Sequence, residues 1–599
     1  MANDNYAPKI AVDAGETGLK KTKMSTFTVV FMVFSLVAAG AYGIEAMIPA
    51  TGPGIALILL MVLPFVWGLP FGLVASELGS VRPQEGGYYK WVQEALGEFW
   101  GFMAGWWRTI SIYIDNTLYV ILAGGYFASM VGFDKIKGTI GPWEISWLLE
   151  FAFKVIMILI FVGINLKGVK ELSVVTNILS ILVLVAFAVV AIIGFINWSG
   201  NPFTTGALPD EGIIAGSLTT YPVENPIEWI YYIGGGIAIG MWMYSGYESM
   251  STIAGEIEDP QVIPKATLIT VPLIMATYIL PTMAGLAAFK GEGPDYSFLN
   301  WGEEAPAIGY ATVAEHFTAP VVGIIFAIVA ILAQCSIYNT YIASGSRGFF
   351  TLAGDKLAPP FLVKVNRKTG IPQRAVLSVG IVNIILCMFA FKTIVVVDVF
   401  LLISSYIMVY ISAMILRKKF TPEEYKGKFK IPGGYGFLCV LCIVPIAIAV
   451  FSFFINGTDY FIGGMIGIIS GPIVYFIWKR IYGGLNRVDP QQHKINKKTG
   501  LAPKDMKRLS VMFGLLTIIG LLGAVWLPFF EGGQNLLGIN GVTMGEDFAW
   551  AFPDDYSMTL FGSQEAMWLA IKVATVIAAV LTVVFYITGK SVEKEENYK

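Results

Sequence analysis

The chain has 599 residues, of which 56% are hydrophobic and 14% charged, with a formal net charge of −2. Soluble domains carry about 25% charged residues, so a soluble globular fold is excluded and the chain reads as an all-α polytopic membrane protein. No nucleic-acid partner and no cofactor are expected.

Met1 to Lys23 is polar and charged, without the apolar stretch and cleavage site of a signal peptide. The first apolar run, Thr26 to Ile48, is therefore expected to remain in the mature protein. It is long enough to cross a bilayer, which takes roughly 20 residues. Its second half reads Gly40, Ala41, Tyr42, Gly43, Ile44, Glu45. Glycine weakens a helix, and a carboxylate in hydrocarbon is costly unless it faces a cavity or a partner. Both departures make sense if the helix breaks there and its freed backbone lines a binding site. The competing reading is a kinked helix packed through small residues.

Thirteen more runs follow, near 54–76, 98–128, 148–166, 173–197, 228–251, 266–289, 320–345, 373–391, 394–416, 435–456, 459–480, 509–529 and 566–588. With a cytoplasmic N-terminus, all but seven of the 40 lysines and arginines fall in inside segments; the exceptions are Lys135, Lys137, Lys290 and Lys392 outside and Arg108, Lys154 and Lys572 within spans. That asymmetry follows the positive-inside rule and places both termini in the cytoplasm.

The third run carries Asp115, Asn116 and Tyr119. Asp115 could meet a substrate amine or pair with Arg108, seven residues earlier on the same helical face. The sixth run repeats the anomaly of the first, with Gly240, Trp242, Tyr244, Ser245, Gly246 and Glu248. Runs one and six are five helices apart, and matched interruptions in two halves are a sequence pointer to a transporter site. Glu45 and Asp115 would suit a cationic substrate, since an amino acid brings its own carboxylate; Glu45 could instead carry a proton or hold another helix. Glu248 could contact substrate, carry a proton or bind unwound backbone. Trp242, Tyr244 and Tyr119 could cage an alkylammonium group or simply pack. Glycines 97, 101, 105, 236 and 240 fit close helix packing. The four cysteines, 335, 387, 439 and 442, lie in apolar runs and argue against disulfides or zinc. The two histidines, 316 and 493, fall in loops, which excludes an intramembrane histidine relay.

The loop after run two, Glu77-Leu78-Gly79-Ser80, Pro83, Gly86-Gly87-Tyr88 and Trp91, is similar to the first cytoplasmic loop of the amino acid–polyamine–organocation superfamily. Gly255-Glu256-Ile257 through Pro264-Lys265-Ala266, and Ser336-x-x-Asn339 with Ser346-Arg347 and Gly354-Asp355, resemble it too. Gly40-x-Tyr42-Gly43-Ile44-Glu45, Asp115-Asn116-x-Leu118-Tyr119 and Ser251-Thr252-Ile253-Ala254-Gly255-Glu256 look like the polyamine-uptake branch, whereas Ser336, Asn339 and Gly246 look like the amino-acid permeases.

The resemblance implies a leucine-transporter-like 5+5 inverted repeat: a tail 1–25, repeats 26–197 and 228–416 with helices 1 and 6 broken, two further helices in 435–480, a linker 485–508, spans thirteen and fourteen in 509–588, and a tail 589–599. By position, Trp242 would be the aromatic gate, Asn116 a polar contact and Glu248 a proton sensor. Val183 stands where many proton-coupled members carry lysine. The expected function is import of amino acids or polyamines across the cytoplasmic membrane by alternating access, coupled to H+, by a monomer or homodimer in membrane lipid. An exchanger and a non-transporting sensor are the alternatives. A channel would need a continuous polar pore, and no nucleophile–histidine pair, metal cluster or phosphate loop suggests an enzyme.

Overall fold

A computed structural model describes residues 25–84, 86–167, 172–203, 228–247, 259, 261–288, 309–366, 371–541, 561 and 563–598. Glu248, the 251–256 motif and the tail before Ser25 lie outside the described residues. In hydrocarbon every backbone N–H and C=O must be satisfied within the chain, which makes helices obligatory for runs this apolar. Among the described residues the structure is accordingly helical apart from two isolated bridges and one short hairpin, Thr139–Ile140 paired antiparallel with Trp143–Glu144. Among the described residues, eleven helices are long and apolar enough to cross a membrane. The expected runs at 98–128, 228–251 and 373–391 also carry helices, Glu98–Val131, Glu228–Met243 and Gln373–Leu386, which are not among those eleven.

The first run is interrupted as its glycines suggest. Helix α1 (Thr26–Ala38) passes into a tight 3-10 segment, Ala39–Gly43, before α2 (Ile44–Thr51). Gly52, at φ +84, turns the chain into α3 (Pro53–Leu63). Pro64 offers no N–H to that helix, and a wide π-type turn, Pro64–Gly68, follows before α4 (Leu69–Val81). The wide turn carries Trp67, whose indole N–H reaches the Met241 carbonyl at 3.0 Å.

After α5 (Gly87–Leu96), the long α6 (Glu98–Val131) forms the spine of the molecule. It is followed by α7 (Ile145–Lys167), α8 (Leu172–Ile196), α9 (Glu228–Met243), α10 (Val262–Ala288), α11 (Tyr310–His316) and α12 (Pro320–Gly354). Helix α6 packs along α12 because the facing residues are small: a Cβ on Gly348 would stand 2.4 Å from the Thr109 hydroxyl, and one on Gly345 2.9 Å from Ile112. Gly236 and Gly240 likewise admit Leu59 and Leu63. These glycines bring helices together, as their spacing predicts.

The chain continues through α13 (Gln373–Leu386), α14 (Phe391–Lys419), α15 (Gly434–Ser452) and α16 (Thr458–Tyr482). A strap, 420–433, returns over the end of α4, where Glu77 accepts from Arg417, the Tyr425 hydroxyl at 2.8 Å and the Ile431 amide at 2.8 Å. The last two helices, α17 (Asp505–Phe530) and α18 (Gln564–Val592), pair closely with each other. They touch the rest through buried polar anchors. Tyr475 donates to Asp505 at 2.5 Å, and Glu531 accepts from the Thr458 amide and hydroxyl while also taking the Trp568 indole of α18 itself.

Candidate substrate site at two interrupted helices

Helix α9 stops where its sequence turns polar. The Ser245 amide bonds back to the Trp242 carbonyl at 3.0 Å, a tightening turn, and Gly246 follows at φ +104. A Cβ there would meet the Tyr341 hydroxyl at 3.1 Å and the Leu36 carbonyl at 3.4 Å, so only glycine fits both the angle and the space. The two interruptions are thus held against one another. Tyr278 ties them: its hydroxyl donates to the Val37 carbonyl at 2.5 Å and lies 3.1 Å from the Met243 carbonyl. Carbonyls that the broken helices leave without intrahelical partners are satisfied this way.

Trp242 is the centre of the arrangement. Its indole N–H donates to Asp115 Oδ1 at 2.8 Å, and its ring stacks on Tyr119 at 5.9 Å. Phe391 meets it edge-on at 5.6 Å. Gly43 lies directly beneath: a Cβ there would sit 2.6 Å from the indole ring. The Tyr119 hydroxyl also bonds Asp115 and Tyr341. Trp242 and Tyr119 thus meet one carboxylate, while Gly43, Phe391 and Tyr341 pack around those two rings. Arg108 donates to the neighbouring Ser111 hydroxyl at 3.0 Å.

Glu45 stands elsewhere. In the first turn of α2, where the helix dipole favours an anion, it accepts from the Tyr126 hydroxyl at 2.6 Å and from the Tyr310 amide at 2.8 Å. The approach is tight, since a Cβ on Gly309 would fall 2.1 Å from Glu45 Oε1. Tyr42 completes the nest against Tyr126, Phe187 and Phe326, and its buried hydroxyl has no partner among the described residues. Asp115 and Tyr126 are eleven residues apart on α6, about 16 Å along the axis at 1.5 Å per residue. Glu45 and Asp115 therefore stand at different levels of α6. They engage α6 three turns apart.

Three other expected positions also part from this centre. Asn116 is one residue past Asp115, about 100° around the helix, and so faces α13, donating to Asn383 Oδ1 at 3.2 Å. Tyr244 points away from the expected cage, donating to the Leu60 carbonyl at 2.8 Å and leaning on Tyr278. The Ser245 hydroxyl is spent on the Met241 carbonyl at 2.5 Å. Gly40, Ala41 and Gly43 lie in the interruption itself, and Ile44 opens α2 directly after it. The residues that sequence reasoning missed are Tyr126, Tyr278, Tyr310, Tyr341 and Phe391. Only Tyr126 left a signal: Asp115, Tyr119 and Tyr126 share one α6 face at i, i+4 and i+11.

Long apolar helices around two facing backbone interruptions, with a buried carboxylate under an indole, define a multi-pass membrane protein with an interior polar site. Residues 24–476 match the family model described as amino acid permease, and the chain belongs to that family. Among named relatives, polyamine transporter PUT1 of Oryza sativa subsp. japonica is 26% identical over 70% of this chain and 72% of its own. Polyamine transporter RMV1 of Arabidopsis thaliana is 25% identical over 72% and 81%. The serine/threonine exchanger SteT of Bacillus subtilis (strain 168) is 24% identical over 78% and 98%. All three are transporters, and this chain is a transporter rather than an enzyme.

Proposed function

We propose that the protein imports cationic amines, polyamines foremost, across the cytoplasmic membrane by alternating access, with both termini inside and the proton gradient as driving force. The observation that carries the reading is the Asp115–Trp242–Tyr119 constellation at the two interruptions. A buried carboxylate beside aromatic faces suits an ammonium group, which needs both a counter-charge and a desolvated contact. The second carboxylate, Glu45, meets α6 three turns away, with the Tyr42 hydroxyl, buried and without a partner among the described residues, in the same nest. A molecule with an ammonium at each end can engage both carboxylates, whereas a neutral amino acid has one amine to offer.

In this reading the fourteen apolar runs form fourteen spans, with repeats over 26–197 and 228–416 rocking around the occupied site. Trp242 leaves Asp115 when substrate arrives and closes over it. Glu45 and Glu248 are the candidates for linking the cycle to proton movement. The names of the two plant relatives agree with a polyamine substrate. The exchanger relative, which matches over more of its length, favours an amino-acid antiporter as the second reading.

The test is a thermal-shift screen of the purified protein with putrescine, spermidine and neutral amino acids, alongside Asp115→Asn and Glu45→Gln. A ligand at 100 times its dissociation constant stabilises the folded state by about 2.7 kcal/mol. Stabilisation by spermidine that is lost in Asp115→Asn is expected. Stabilisation by serine or threonine alone, undiminished in both variants, overturns the polyamine reading in favour of the exchanger.

A further inference from the structure

On the side that the lysine and arginine distribution assigns to the exterior, the hairpin and the start of α7 lie across from the end of α13. Between them runs an open groove of about 480 Å3, lined by Trp143, Glu144, Trp147, Ile385, Met388 and Phe389. The Trp143 and Trp147 rings stack at 4.6 Å and 19°, and Phe151 continues the ladder at 5.1 Å from Trp147. The hairpin register sets Trp143 against Ile140 and Glu144 against Thr139, with Gly141 at φ +63 in the turn, so the ladder's outer end is held by backbone pairing. One turn below Trp147, Glu150 is taken up by an ion pair with Lys154. Glu144 is differently placed: it is exposed, and its contact is a 3.3 Å hydrogen bond from the Ser146 hydroxyl.

We propose that this groove binds an alkylammonium group, the nitrogen lying against the Trp143–Trp147 ladder beside Glu144 and the methylenes along Ile385, Met388 and Phe389. Trp147 is stacked between Trp143 and Phe151, so the indole face offered to a cation is that of the exposed Trp143 at the ladder's end, and the carboxylate beside it adds charge. The same carboxylate disfavours a ligand whose only charge is negative, and an unbranched methylene chain matches the apolar wall of Ile385 near the end of α13 and Met388 and Phe389 just past it. The chemistry is shared by two sources, a free polyamine and the headgroup of an ethanolamine or choline lipid. The first source rests on the proposed polyamine function; the groove itself does not. Its place at the α7 end of the molecule separates it from the Asp115 centre, so it would gather cations before they enter.

Met388→Cys in phosphatidylglycerol nanodiscs provides the readout, with the unsubstituted chain, whose adjacent Cys387 is buried, as background. The rate of modification by a trimethylammonium methanethiosulfonate is divided by the rate for neutral methyl methanethiosulfonate. The ratio is expected to fall about two- to fivefold when Glu144→Gln or Trp143→Leu is added, the size of an exposed cation–π contact. An unchanged neutral rate verifies that the groove still forms. A ratio indifferent to both substitutions overturns the proposal. Slowing by millimolar spermidine identifies the free amine as occupant; slowing by phosphatidylethanolamine in the disc, with no effect of spermidine, identifies the lipid. If the ratio falls as expected while spermidine fails to stabilise the protein in the thermal-shift screen, the groove stands and the polyamine function falls.

Discussion

The Trp242 indole and the Asp115 carboxylate occupy each other in this structure, at 2.8 Å. A hydrogen bond to a charged group contributes roughly 1.5–3 kcal/mol. Trp242→Phe keeps an aromatic ring over Gly43 but removes the donor. In the proposed cycle this bond breaks when substrate arrives, so its removal should tighten substrate binding about 10- to 100-fold while the protein still folds; an unchanged affinity would show that substrate does not displace Trp242 from Asp115. At Glu45 two oxygens each accept a buried hydrogen bond. Glutamine supplies one acceptor in place of two, so either the Tyr126 hydroxyl or the Tyr310 amide loses its partner. An unsatisfied buried group costs about 1–3 kcal/mol, and Glu45→Gln should lower the apparent melting temperature even without ligand. A variant as stable as the parent would show that this contact adds nothing to the ligand-free state.

At the scale of elements, the interruptions matter because each makes room for a partner. Gly43 is small because the Trp242 ring rests on it. Gly43→Ala places a methyl 2.6 Å from that ring, so the indole must move and Asp115 loses its donor. Overpacking of this kind costs about 1–3 kcal/mol. Transport should fall much further than the melting temperature suggests, and comparing uptake with thermal unfolding separates the two effects. Tyr278→Phe is the companion variant. It leaves the Val37 and Met243 carbonyls without their hydroxyl, and hydrogen exchange should speed up in 36–44 and 242–247 together. Acceleration in one segment alone would mean that Tyr278 does not couple them.

For the whole molecule, the strap and the final helix pair are added to a helical body that already holds the site. The strap is pinned where Glu424 accepts the Thr421 amide at 2.7 Å and meets Arg82 at 2.5 Å, with the Arg82 guanidinium 4.6 Å from the centre of Phe420. The amide and the guanidinium pull the Glu424 carboxyl from its ordinary 4.5 down to about 2. A depressed carboxylate stabilises the fold fully above its unfolded value and loses that contribution as pH falls through the folded value. The difference in melting temperature between the parent and Glu424→Gln should thus be greatest above pH 4.5 and shrink as pH is lowered toward 2. A gap independent of pH would assign the effect to packing. Helices α17 and α18 lie beyond the matched segment 24–476, and their anchors are Asp505 on Tyr475 and Glu531 on Thr458.

Apolar periods and glycine–carboxylate interruptions are local facts, so the membrane class, the helices and the break at Gly40–Gly43 could be read from the sequence alone. At 100° per residue Asp115 shares a face of its helix with Tyr126 and not with Asn116, so that grouping too is a local fact. What only the tertiary structure decided is partnership. Tyr278, Tyr310, Tyr341 and Phe391 reach the interruptions from helices remote in sequence, and no local pattern marks which face of a buried aromatic will meet which break. The same holds for the two carboxylates. Their charge was legible, but that Glu45 meets α6 at Tyr126, three turns from Asp115, was set by how α2 docks against that helix, and with it the kind of molecule that can touch both.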